Sequence, residues 1–231
     1  IEAGRGFLHG WYAQNGVSLG NPRLGFVCVS EDVTGQFGLC GYFKEYDRDL
    51  TDAERLVFAP DERPPAFDPA QQPAPPTQDW SDERLAKANR NYAMEYIRNG
   101  VSALSDEVGR ETARAHASRA ARLTGLQNYA AMAQAVGGMD GGPEAAADFL
   151  VTMFAGMGDD CIRTRDEDGT QRIVQSGLRI VRGLDGALRQ DMLESWTELW
   201  RGAVQAHRAF IQVECDRTEE RLIWSLRPGS I

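Results

Sequence analysis

No apolar run in this chain approaches the roughly 20 residues that a membrane-spanning helix needs. Lysine is nearly missing: Lys44 and Lys87 are the only two, and the remaining basic charge is arginine. The 25 basic residues face 34 acidic ones, a formal net charge of −9. Such a field repels polyanions, whereas a non-specific nucleic-acid binder needs a basic face to neutralise phosphates. Neither nucleic acid nor membrane is therefore an expected partner. Cysteine is scarce, and Cys28, Cys40, Cys161 and Cys215 include no CxxC pair. That spacing argues against a zinc knuckle or a thioredoxin-type motif. No hydrophobic leader opens the given sequence, which points to a reducing cytoplasm and free thiols. Histidine occurs three times, at His9, His116 and His207, with no HxH, HxxxH or HExxH spacing.

What is present is ordinary globular composition, 42% hydrophobic and 26% charged, which excludes wholesale disorder. Residues 1–58 form a glycine-rich, aromatic accessory segment. Within it Leu24 to Val29 and Phe37 to Tyr46 read as two strands of an antiparallel hairpin, followed by a helical turn after a Thr51 cap. Residues 59–79 hold Pro60, Pro64, Pro65, Pro69, Pro73, Pro75 and Pro76. Proline fixes φ and removes a donor, so this linker is extended, either an arm over a partner surface or a plain tether.

Residues 80–231 read as an α+β core domain. Ser81 caps a first helix that should stop at Gly100, and a second should run from Ser102 to Leu123, near Gly125. A third spans Leu126 to Val136, and Pro143 opens a fourth that ends at Met157. Asp168-Gly169 joins extended segments Cys161 to Arg165 and Gln171 to Val174, with a further strand over Gly177 to Val181. Residues 185–208 return to helix, with Leu188, Met192, Trp196, Leu199, Trp200 and Val204 as its apolar stripe. A last hairpin pairs Phe210 to Cys215 with Leu222 to Leu226. Helices and hairpins come in blocks, so the expected fold is a helical layer on a small, mostly antiparallel sheet.

Candidate chemistry is spread thinly. Tyr92, Glu95, Tyr96 and Asn99 share one face of the first helix, as a pocket wall or as an aromatic packing face. His116 stands among alanines and leucine and is expected to point inward, as a core histidine or a general base. His9 lies in an aromatic, glycine-rich stretch that suits either a ligand-covering loop or an arm. Asp159 and Asp160 read as solvated turn residues or as hard-cation ligands. Those acids would raise the Cys161 pKa and make it a structural thiol. Ser176 is not in a GxSxG elbow.

From about residue 84 to residue 227 the layout of alanine-rich helices, Asp-Gly hairpin, Trp-bearing helix and terminal strand pair (Val213-Glu214-Cys215, then Leu222-Ile223-Trp224-Ser225-Leu226) resembles the L-2-amino-thiazoline-4-carboxylate hydrolase-like family. The resemblance implies helices followed by a small sheet, and hydrolytic opening of a small heterocycle. This chain departs from it at Gln175-Ser176-Gly177, where members carry a cysteine. The first expectation is thus a small-molecule hydrolase acting on a C–N or C–S bond. Glu95 or His116 would move the proton, Tyr92 and Asn99 would orient the substrate, and Arg163 or Arg179 would hold a carboxylate. The alternative is a non-catalytic ligand-sensing or partner subunit. A metal held by the three histidines is a third. No motif calls for a cofactor, and a homodimer or larger assembly is expected.

Overall fold

The structure, a computed structural model, describes residues 1–36, 38–71, 80–137, 141–207 and 210–229. Phe37, Pro73, Pro75 and Pro76 of the expected strand and linker lie outside the described residues. The fold is α+β, and the chain divides into two compact units, Ile1–Leu85 and Ala86–Ile231.

The first unit opens on helix α1 (Glu2–Leu8), a π-helical turn (His9–Ala13) and helix α2 (Asn15–Ser18). This corrects the flexible loop expected around His9. The apolar residues Leu8, Tyr12 and Ala13 recur at helical spacing and pack on Phe26 and Leu56, which overrides the low helix propensity of the glycines. Strand β1 (Leu24–Ser30) pairs antiparallel with β2 (Cys40–Glu45) and parallel with β3 (Leu56–Phe58). The Thr51 cap is present, with the Glu54 side chain returning to the Thr51 backbone, but the helical turn is a single 3-10 turn. The chain then enters β3, which three residues are too short to announce by alternation. Gly41 admits the edge of the Phe26 ring where any side chain would stand. Arg5 makes a bidentate pair with the buried Glu31 (3.0 and 2.9 Å) and covers the Phe58 ring. The guanidinium holds the Glu31 carboxyl below its usual range.

The second unit carries helix α3 (Asp82–Val108) from Ala86 onward, α4 (Arg110–Val136), α5 (Pro143–Met157) and α6 (Gly186–Gln205). The expected stops at Gly100 and Gly125 do not occur. The break comes at Gly109, whose φ of +79° a side chain rarely adopts. Gly125 stays helical because α6 crosses there. A Cβ on Gly125 would lie 2.7 Å from the Ala203 nitrogen, and one on Gly202 would overlap the Arg122 carbonyl. The fourth helix runs from Pro143 to Met157, as the sequence predicts, and Gly158 closes it in the left-handed region.

Four strands, β4 (Asp160–Arg165), β5 (Gln171–Ser176), β6 (Ile211–Arg217) and β7 (Leu222–Pro228), form an antiparallel sheet in the order β4-β5-β7-β6. The segment expected as a strand over 177–181 is a turn at Gly177 and a 3-10 turn, Arg179–Val181. The core lies between α5, α6 and the inner sheet face. There Phe154, Trp200 and Trp224 meet, with ring centroids 5.3 Å (Phe154–Trp200) and 5.7 Å (Phe154–Trp224) apart. Of the predicted stripe on α6, Met192, Trp196, Trp200 and Val204 are buried, and Leu188 and Leu199 are half-buried.

Candidate functional site

Helices α4 and α6 run parallel, cross-braced by arginines on α4 and acids on α6. Arg110 meets the buried Asp191, Arg114 meets Glu194 at 3.6 Å, and Arg122 meets Glu198 at 2.6 Å. The α4 partners follow one another at steps of four and eight residues, so one helix face carries all three. Glu198 also accepts from Arg201 at 2.8 Å, and the two guanidiniums hold its carboxyl low against the opposing cost of burial.

The two arginines that Glu198 joins line an open groove of about 580 Å³ along β6, an edge strand of the sheet. Arg122, Arg201 and Arg227 line it, with Gln205, Ile211, Val213 and the carboxylate of Glu214 among their neighbours. Arg227 is oriented by Gln212 (3.0 Å) and Glu214 (2.5 Å). A guanidinium has five N–H donors in a planar fork. Arg122 and Arg201 each give Nη1 to Glu198, and among the described residues no acceptor engages their other nitrogens. The groove therefore offers convergent donors over a partly apolar wall. None of its arginines was singled out in the sequence. The signal was there in the spacing of Arg110, Arg114 and Arg122, but only α6 shows which face they occupy.

The sequence-predicted residues lie elsewhere. Glu95 and Arg179 line a cleft of about 50 Å³ with Asn91, Met94, Arg98 and Arg182. That is room for a water or two, since liquid water occupies about 30 Å³ per molecule. Tyr92 and Asn99 are exposed on the same helix. His116 is also exposed on α4, which corrects the inward-facing expectation. Alanine surrounds it on every side of the helix, so the sequence carried little information about its phase. Arg163 is committed to Gln171 (3.0 and 2.8 Å) and to Asp148.

The remaining candidates have structural surroundings. His207 is buried; its Nδ1 meets the Tyr129 hydroxyl and its Nε2 lies 2.6 Å from the Gly141 carbonyl. A carbonyl only accepts, so Nε2 carries the proton and Nδ1 accepts from the phenol. Among the described residues no group of three His, Cys, Asp or Glu is placed to hold a metal ion. Asp159 is buried rather than solvated. It accepts from Gln175 Nε2 (2.7 Å) and the Arg179 backbone N–H (3.0 Å), while Gln175 Oε1 accepts from Trp224 Nε1 (2.9 Å). Burial raises the Asp159 pKa against those hydrogen bonds.

All four cysteines are free. Burial pushes the Cys161 thiol up to about 11 and the Cys215 thiol up to about 12. Cys40 is exposed. Iodoacetamide at pH 8 is therefore expected to alkylate Cys40 first, with Cys161 and Cys215 unmodified in the folded protein, as read by peptide mass spectrometry. Early modification of Cys215 would contradict its burial.

No family model and no curated protein matches this chain. A solved structure described as "Probing the function of heme distortion in the H-NOX family" is similar over 69% of this chain and 78% of its own, at 12% identity and a TM-score of 0.37. At that score the likeness supports no statement about function.

Proposed function

We propose that this chain is a ligand-binding module rather than a hydrolase, and that its groove along β6 takes a small anionic molecule. The observation that carries this is the convergence of Arg122, Arg201 and Arg227 on one groove beside the apolar side chains Ile211 and Val213. Guanidinium forks pair with both oxygens of a carboxylate or with a phosphate, and the apolar wall suits a short hydrocarbon body. Hydrolysis would need an acid–base pair at a cavity of substrate size. Glu95 borders a cleft of about 50 Å³, and His116 is exposed on a different helix.

Glu198 sets the strength of the site. It neutralises part of the charge of Arg122 and Arg201 while fixing their orientation, so an incoming anion meets the guanidinium nitrogens that Glu198 leaves open. Affinity should be modest and should fall with salt, because the arginines are 32–49% exposed. The test is a calorimetric titration with inorganic phosphate, glutarate and citrate. At least one is expected to bind saturably, and Arg201→Glu should weaken it by about tenfold or more, roughly 1.4 kcal/mol. Absence of binding by all three, or equal binding by Arg201→Glu, would overturn the proposal.

A further inference from the structure

Strand β6 ends its sheet and is bonded to β7 on one side. The register sets Val213 against Leu226 and Cys215 against Trp224, and paired residues of an antiparallel ladder share a face. Leu226 and Trp224 are wholly buried, whereas Val213, Cys215 and Ile211, on the same face, are only half-buried. The core is sealed over β7 and left open along β6. Among the described residues no strand pairs with the far side of β6. In an antiparallel pair, residues alternate between bonding the partner and directing their N–H and C=O outward. The outer edge of β6 therefore keeps a row of backbone groups that no strand engages.

The arginine groove follows this row. Its floor includes Ile211, Gln212, Val213 and Glu214, consecutive residues whose side chains point alternately to opposite faces. A groove that touches them all runs along the edge of the strand rather than over one face of the sheet. Helices α4 and α6 supply the facing wall through Arg122 and Arg201. A free strand edge is where an extended peptide can add as a further strand. Such edges are commonly guarded by charged side chains. On β6, Asp216 and Arg217 stand beyond the groove, and within it Glu214 is bonded to Arg227 at 2.5 Å. An incoming strand thus meets apolar side chains, backbone donors and acceptors, and the guanidinium nitrogens that Glu198 leaves open.

Resting on the anion-binding reading of this groove, we propose that the anion is borne by a peptide, an extended acidic segment that pairs with the outer edge of β6 and extends the sheet. Backbone bonds to β6 supply affinity, and a carboxylate on the helix-facing side of the segment meets Arg122 and Arg201. From Ile211 to Glu214 the edge is about 10 Å long, enough for about four residues of the partner at roughly 3.3 Å each. Calorimetric titration of the full chain with a short end-capped peptide of alternating glutamate and valine tests this, with glutarate titrated in parallel. The peptide is expected to bind about tenfold or more tightly than glutarate, and its glutamine counterpart about tenfold more weakly than the peptide itself. Methylating alternate backbone nitrogens removes the donors from one edge of the peptide. One of the two alternate sets should abolish binding and the other should leave it within about twofold, because only one edge faces β6. A peptide no tighter than glutarate, a glutamine counterpart that binds equally, or two methylated sets that bind alike would overturn strand addition while the groove remained an anion site. Binding of neither glutarate nor the peptide would remove the anion site itself.

Discussion

Gly202→Ala is expected to lower the melting temperature of the second unit by about 6–12 °C. At an exposed helical position the same change would gain about 1 kcal/mol, because alanine is the better helix former. Here α4 and α6 touch backbone to backbone. A methyl on Gly202 would overlap the Arg122 carbonyl, and one on Gly125 would stand 2.7 Å from the Ala203 nitrogen. Neither neighbour is a flexible side chain that could swing aside. Relief requires the helices to separate, and overpacking of that kind costs about 1–3 kcal/mol, occasionally more. With about 2–4 °C lost per kcal/mol at this chain length, the upper end of that range gives the stated shift. Gly156→Ala on α5 is the control, since nothing lies within 4 Å of its Cβ position. It should be neutral or stabilising. If Gly202→Ala also proves neutral, the close crossing of α4 and α6 is wrong.

The second large effect concerns Gln175. Its replacement by leucine should destabilise the unit by about 3 kcal/mol at pH 7, because two buried partners lose their bonds at about 1–3 kcal/mol each. Those partners are the Trp224 indole N–H and the Asp159 carboxylate. The effect should also depend on pH. Burial already raises the Asp159 pKa above its ordinary value, and Gln175 opposes that shift. A carboxyl with a raised folded-state pKa penalises the fold while it is ionised. The penalty is present above the folded-state pKa and is relieved as pH falls through it toward the ordinary value. Removing Gln175 enlarges the penalty, so the deficit of Gln175→Leu should be largest near neutrality and shrink on acidification toward pH 5. Urea titrations at both pH values measure it. A deficit that grows on acidification would contradict the assignment of Asp159 as a carboxylate constrained mainly by burial.

These two sites show what the sequence made legible and what it did not. Pro143 marked the start of α5, since a proline at the first helical position is a local requirement. The Met192-Trp196-Trp200-Val204 stripe gave the phase of α6, and the Asp-Gly turn gave the hairpin of β4 and β5. Each is a signal contained within a few consecutive residues. Gly125 was misread as a helix end because its reason for being glycine lies on another helix. Asp159 looked like a turn residue because Gln175 and Arg179, which bond it, are far along the chain. His116 failed for the opposite reason: in a helix of alanine and arginine, no local contrast says which side is inner. The arginine groove needed three separate elements to be placed before it existed at all.

Gly109 is the sole residue between α3 and α4, two rods of about 40 Å each at 1.5 Å per residue. A turn of only about 10° at that single swivel carries the far end of α3 through roughly 7 Å. Glycine resists such a turn less than any other residue. The bearing of α3 is thus governed by whatever grips its length and not by the joint at its base.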